Sequence, residues 1–388
     1  MTVKPARFLE SIAQIDAPSW NALAGPGQPF LRHEFLLALE QSGCTTPRTG
    51  WAPRHLIIED AQGVPAAAMP LFRKAHSRGE FVFDFSWAGA YAQQGLNYYP
   101  KLLTAVPFTP VTGPRVLLGS NPNAKAMTAS VVHAVLDYAR NEQLSSWHVL
   151  FPTAGIAARF DAAGLILRRD CQFHWYNHGY DTFESFLATF TAEKRKKAKR
   201  ERRRVAEAGI EFDTLHGGDM TASLWSVIYE FYAETFHRHG HEPYLNLDFF
   251  KRISIAMPNE LMLKVARVGR EPIAVAIFFV GNEALYGRYW GAGGNFHSLH
   301  FEACYYQGIE YCIENKLQRF EPGTQGEHKV PRGFVPTMTH SAHYIADPRF
   351  AAAIRDYAQR EARGVDAYAA AVQTHVPYTK GPDEELRL

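Results

Sequence analysis

The apolar pattern marks two similar hairpins far apart in the chain. His55-Leu56-Ile57-Ile58-Glu59 reads as a strand, residues 60–63 as a turn, and residues 64–72 as a second strand. Much later, residues 262–267 read as a strand, 268–271 as a turn and 272–279 as its partner. Pro65 aligns with Pro272, Ala67 with Ala274 and Phe72 with Phe279, so each second strand is entered through a proline. A repeat at roughly half the chain length favours two copies of one α/β unit.

Around the hairpins, 3.6-residue periodicity predicts helices over 32–41, 124–141, 157–163 and 182–192, with Gly164 stopping the third. Residues 81–87 and 147–151 read as strands, the latter ending at Pro152. Residues 91–113, rich in Tyr, Pro and Gly, read as an ordered aromatic loop. The pattern predicts two domains, 1–178 and 179–388, the second including a basic helix over 193–208 and holding the chemistry. A strand ends near Tyr286–Gly291, a glycine loop follows, and a helix over 298–315 packs through Phe301, Tyr305, Gly308, Ile309 and Cys312.

At 388 residues, two domains are the prior expectation. With 46% hydrophobic and 21% charged residues, the composition is that of a globular protein. The net charge of +2 provides no whole-molecule field for DNA. Without an apolar run long enough for a transmembrane helix or a signal-like N-terminus, the expected location is the cytoplasm. Cys44, Cys171, Cys304 and Cys312 lack metal or redox spacing and are expected as free thiols.

The charge is concentrated at 193–204, EKRKKAKRERRR, where nine of twelve residues are Lys or Arg. Ala198, Val205 and Ala208 leave a thin apolar stripe, so the run reads either as a solvated helix or as a phosphate-binding surface for coenzyme A, a nucleotide-sugar or a tRNA acceptor stem.

Arg288, Gly291, Ala292 and Gly293 fit an R-x-x-G-x-G pattern in which small residues let the backbone approach a pyrophosphate. Glu321, Gln325, Glu327, His328, Lys329 and Arg332 gather just after a strand over 317–320, where α/β sheets collect ligands. Amide formation by acyl transfer needs a proton acceptor, a donor facing the oxyanion and two reactants held together. Glu327 or His328 as base and Lys329 as electrostatic donor meet those needs, with Glu302 a further catalytic candidate. Arg238, His239, Tyr244 and Arg332 are candidates for binding substrate. His237, His239 and His241 alternate, but without a distant ligand partner no metal is expected.

Several segments together resemble a known family: Trp87-Ala88-Gly89-Ala90-Tyr91, Tyr99-Pro100-Lys101-Leu102, residues 107–113, Tyr286 to Gly291, Leu299-His300-Phe301-Glu302, Cys304-Tyr305-Tyr306-Gln307 and Gln325-Gly326-Glu327-His328-Lys329. They are similar to the predicted bacterial N-acyltransferases of the GNAT superfamily, labelled for peptidoglycan biosynthesis or recognition through similarity to Fem-type aminoacyltransferases. The resemblance spans roughly residues 30 to 360. It implies two tandem GNAT-like domains of α/β (α+β) class with mixed central sheets. It also implies acyl-CoA as donor to a small-molecule amine, or aminoacyl-tRNA as donor to a peptidoglycan-precursor acceptor. Fem-type enzymes carry a late Phe-Lys followed closely by Gly-Phe; here His328 precedes Lys329, and Gly333-Phe334 follow. A non-catalytic module binding a cell-wall fragment or anionic ligand through 195–204 and the aromatic loop 91–108 is the alternative from another class.

Overall fold

The computed structural model describes residues 4–120, 123–324 and 326–379. Its strands are β1 (Arg7–Leu9), β2 (Trp51–Pro53), β3 (His55–Glu59), β4 (Pro65–Met69), β5 (Phe72–Lys74), β6 (Lys101–Thr104), β7 (Ser146–Leu150), β8 (Ile166–Tyr176), β9 (Ile210–His216), β10 (Leu261–Val268), β11 (Glu271–Val280), β12 (Ala284–Ala292), β13 (Arg319–Glu321) and β14 (Val335–Ile345). Its longer helices are α1 (Ala17–Ala24), α2 (His33–Gln41), α3 (Phe85–Gln93), α4 (Ala124–Asn141), α5 (Ala154–Ala162), α6 (Phe183–Ala188), α7 (Ala192–Glu207), α8 (Ala222–His237) and α9 (Leu247–Ala256). Helix α10 starts at Leu299–Phe301, widens into a π-helical turn at Glu302–Tyr306 and ends as Gln307–Glu314; α11 is Pro348–Gln373.

The chain divides into two compact units. The first comprises Met1–Cys171, Tyr244–Met257 and Met338–Asp366; the second comprises Gln172–Pro243, Pro258–Thr337 and Ala367–Leu388. In the first unit β1, β3 and β4 make a three-stranded antiparallel sheet. A second set of strands runs in the order β2-β5-β6-β7-β14, antiparallel except for the parallel pair β6 and β7. The second unit repeats that logic. Its strands run β8-β13-β12-β11-β10-β9, with β12 and β13 the parallel pair. Beside each parallel pair lies a strand drawn from the other half of the sequence, β14 in the first unit and β8 in the second.

Both hairpins form where the pattern places them, and each slips register by one residue just before its turn, at Ile58/Glu59 and at Ala266/Arg267. Each slip falls next to the proline, which lacks an N–H and pairs just past it, Pro65 with Glu59 and Pro272 with Arg267. The first hairpin nevertheless lies in the small sheet, and Pro70 cuts its apolar run into β4 and β5. Residues 81–87, expected as a strand, instead form a loop followed by α3, which buries Trp87 and Tyr91 on one face. The aromatic segment 91–113 contains β6, whose four residues are all buried. Propensity had pointed the other way in both places, because tertiary burial overrides a local preference worth a few tenths of a kcal/mol.

In the first unit α4 presses Val131, Val132 and Val135 toward Trp147 and Val149 of β7. In the second, Trp175, Phe278, Tyr306, Ile309, Phe320 and Phe334 belong to one buried cluster. Two glycines permit close packing in this unit, one at that cluster and one against α8. A Cβ at Gly308 would lie 2.5 Å from the Phe320 ring, and one at Gly291 would lie 2.3 Å from the backbone carbonyl of Phe231 in α8. Backbone cannot swing aside as a side chain can, so Gly291→Ala should destabilise by about 1–3 kcal/mol or more. Urea denaturation checks this, and an unchanged midpoint would mean that α8 packs differently.

Candidate active site

The second unit carries the candidate site. Its parallel strands pair only over Ala284–Tyr286 and Arg319–Glu321. Strand β13 then ends at Glu321 while β12 continues to Ala292. A β-bulge occurs at the same point: Ile277 faces Tyr289 and Phe278 faces Gly287, so Arg288 is the inserted residue. There a cavity of about 140 Å³ opens, lined by Arg288, Tyr289, Trp290, His300, Cys304, Tyr305 and Pro322 among others. It has room for an acyl group and its attacking atom, but is well below the size that encloses a whole drug-sized ligand.

Lys329 reaches this region from a 3-10 helical turn, Glu327–Arg332, bounded by Gly326 (φ +106°) and Gly333 (φ +97°). These left-handed positions favour glycine. The Lys329 side chain is buried, and its Nζ donates to the carbonyl of Gly323 at 2.5 Å. No carboxylate among the described residues forms an ion pair with it. Burial therefore pushes its amine down to about 7, with the Arg288 charge adding to the effect. Burial, with His328, Arg332 and Lys329 nearby, pulls His300 down to about 4, so its imidazole is neutral. His328 is also lowered by burial, and its Nε2 lies 2.7 Å from the Tyr305 hydroxyl. Burial pushes the Cys304 thiol and the Tyr305 phenol up, so both keep their protons.

A buried, unpaired amine costs the fold something, and the sign follows from its lowered value. Below about pH 7 Lys329 is charged in both folded and unfolded chains, so the burial penalty is fully present; it recedes as pH rises toward the unfolded value near 10.5. Lys329→Met should therefore stabilise the protein by about 1–4 kcal/mol at pH 6 and by less at about pH 9. Urea midpoints at the two pH values test this; a destabilised variant at both would contradict the burial.

The other candidates have structural partners. Glu302 is 3% exposed and accepts from Arg202 Nε at 3.1 Å and Gln307 Nε2 at 2.8 Å. Burial raises its carboxyl although Arg202 opposes the shift. Arg332 binds Glu201 through Nη2 at 2.7 Å and Nε at 3.1 Å, donates to the His328 carbonyl, and lies 3.4 Å from the Phe301 ring centroid. Glu327 is exposed and accepts from the Tyr368 hydroxyl at 2.9 Å. Gln325 lies outside the described residues.

The glycine pattern is placed differently from its expected loop. Arg288, Gly291 and Ala292 lie inside β12; Gly291 faces the α8 backbone, and a Cβ at Gly293 would lie 2.8 Å from the Phe231 ring. The open turn is 293–298, before α10, where Arg204 of α7 lies 3.4 Å from His297 Nε2. Arg238 pairs with Glu234 at 3.0 Å on the surface, and His239 is exposed. Tyr244 belongs to the first unit and stacks on Phe108 at 5.1 Å. Thus Arg288 lines the cavity, His328 meets it through Tyr305, Lys329 lies near Arg288 and Cys304, and Glu302 and Arg332 are tied to α7, while Arg238, His239 and Tyr244 do not join them.

Helix α7 has two faces. Ala198, Glu201 and Val205 are buried, whereas Lys196, Lys197, Arg200, Arg203 and Arg204 are exposed. Sequence reasoning missed Glu201, Tyr305 and Cys304. Glu201 was legible by spacing: three residues after Ala198 and four before Val205, it shares their face. Tyr305 and Cys304 read as core because their spacing is that of core. Among the described residues, no group of three His, Cys, Asp or Glu side chains could hold a metal ion, and no helix is long and apolar enough to cross a membrane.

The FemAB-like family, described as peptidoglycan biosynthesis/recognition, matches this chain over residues 11–380. The structure is similar to that of FemX, with a TM-score of 0.53 and 10% identity over 92% of this chain and 100% of that one. It is also similar to L-PGS from Bacillus licheniformis, with a TM-score of 0.51 and 10% identity over 82% of this chain and 94% of the other. At such identities the likeness is one of fold, and the fold is the tandem GNAT-like α/β architecture with mixed sheets. No curated protein sequence matches the chain.

Proposed function

We propose, from the premise that this chain belongs to the FemAB-like family, that it transfers an acyl group to an amine by direct attack in the second unit. The observation that carries this reading is Lys329, a buried amine lowered to about 7 that lies near Arg288 and Cys304 of the cavity lining. Neutral Lys329 takes the proton that the attacking nitrogen must lose. The resulting ammonium then faces the oxyanion of the tetrahedral intermediate, where charge in a water-poor site is most effective. Collapse of the intermediate breaks the bond to the donor's sulfur or oxygen, and that atom recovers the proton from Lys329. Neutral His300 and protonated Tyr305 line the cavity and shape it, the latter fixed by His328.

The turn 293–298 before α10, with Arg204 beside it, suits the phosphates of a donor such as acyl-CoA. A second reading, aminoacyl-tRNA as donor to a peptidoglycan-precursor amine, is favoured by the exposed cations of α7. Calorimetry with CoA, acetyl-CoA and an aminoacyl-tRNA mimic separates the readings. Saturable CoA binding that weakens in Arg204→Glu supports the first. Binding of the tRNA mimic that falls steeply with salt, and is lost in Lys196→Glu/Lys197→Glu/Arg200→Glu, supports the second. Turnover in neither donor class, with a cell-wall fragment bound, would replace catalysis with recognition.

A further inference from the structure

The first unit holds a buried charge cluster that the acyl-transfer reading does not use. Lys74 of β5 and Lys101 of β6 are direct cross-strand partners, and both are fully buried. Like charges facing each other across a ladder destabilise a sheet, and burial makes that worse. The arrangement therefore works against the fold rather than for it. Lys74 Nζ lies 3.7 Å from the Trp51 ring centroid and donates to the Arg78 carbonyl at 3.3 Å. Lys101 Nζ donates to Ser77 Oγ at 2.8 Å, Glu80 Oε2 at 2.8 Å and Asp84 Oδ2 at 2.5 Å.

The two cations come from strands, while the anions come from one irregular loop, 75–84. Glu80 bridges the pair, with Oε1 3.9 Å from Lys74 Nζ and Oε2 on Lys101. Most buried polar atoms in a fold find a partner, and an unpartnered carboxylate oxygen is the costlier kind of exception. Here Glu80 Oε1 and Asp84 Oδ1 are buried without any hydrogen-bond partner. Apolar surface is turned outward here: Phe83 of the loop is 67% exposed and Phe85, the first residue of α3, 53%. Phe81, two residues before Phe83, sits at φ +62°, a costly conformation for a bulky residue. Behind Asp84, Tyr98 donates to it at 2.7 Å and meets His148 Nε2 at 2.9 Å; His148 in turn meets His343 at 2.7 Å. Burial keeps both imidazoles neutral, so they add polar atoms to the wall without adding charge.

We propose that Lys74 and Lys101 form a binding site for the oxyanion of a ligand, a carboxylate or a phosphate, and that loop 75–84 is a plug whose carboxylates hold the site until the ligand displaces them. The site is independent of the cavity at Lys329 and stands whether or not that cavity catalyses acyl transfer. Burial raises Glu80 to about 7, which eases its release, and lowers Lys74 to about 7, which a bound oxyanion would reverse.

Hydrogen exchange of the full chain, titrated separately with inorganic phosphate and with acetate, tests the plug. Faster exchange confined to 75–84, saturating with the anion, is expected. A response to phosphate alone assigns a phosphate ligand, and one to acetate alone a carboxylate. No change with either overturns the proposal. In parallel, Glu80→Gln should bind the effective anion at least about tenfold more tightly than the parent, because one competing charge-assisted contact is gone. Lys101→Met should abolish that binding. A folded Glu80→Gln with parental affinity would likewise overturn the proposal, and the exchange experiment on the parent decides the matter if the variant does not fold.

Discussion

Lys329→Ala is expected to lower acyl transfer by roughly a hundred- to ten-thousand-fold, the range for removing a positioned proton acceptor. The pH profile makes the test specific. A folded-state value of about 7 means that the neutral fraction grows as pH rises through 7, so the rate should climb through the same window. Lys329→Arg keeps a charge but cannot release its proton near neutrality, so it should be as impaired as alanine. Steady-state rates of the three proteins from about pH 5.5 to about pH 9 provide the comparison. A rate that falls with pH, or an active Lys329→Arg, would show that a fixed positive charge is all the site needs. Substrate affinity should change little, because the residue acts on charge that develops in the transition state.

Glu201→Leu should cost about 3–5 kcal/mol of stability, as breaking one side of a buried ion pair does. Glu201 accepts two bonds from Arg332 and one from the Tyr306 hydroxyl at 2.7 Å, all away from water. Without it, Arg332 remains buried and charged, and the turn bearing Lys329 loses its tie to α7. Adding Arg332→Met should recover much of the loss, since an apolar pair carries no desolvation penalty. Urea denaturation of the two single variants and the double variant measures this. A loss near zero for Glu201→Leu would mean that water reaches the pair. The residual activity of a folded variant reports how far the turn positions Lys329.

Much of this architecture was legible along the chain. The paired hairpins, the helix over 298–315 and the polar turn after β13 each follow from side-chain period and turn chemistry, which act over a few residues. So did the gathering of His328, Lys329 and Arg332, because a strand followed by a short polar turn delivers neighbours to one strand end. Residues 81–87 were misread because their aromatic alternation suits a strand equally well, and only the surrounding core selects the loop and α3.

The sequence alone determined the two related α/β halves, the family motifs and the dense cationic run. Tertiary structure decided what each charge does. Sequence cannot show that Gly291 is needed by the α8 backbone rather than by a phosphate, that Glu201 turns inward to Arg332, or that Lys329 has no carboxylate partner among the described residues. Nor can it show that Lys74 and Lys101 face each other across a ladder. The reason is physical: local pattern depends on neighbours a few residues away, whereas the state of a charge depends on dielectric and partners brought from far along the chain.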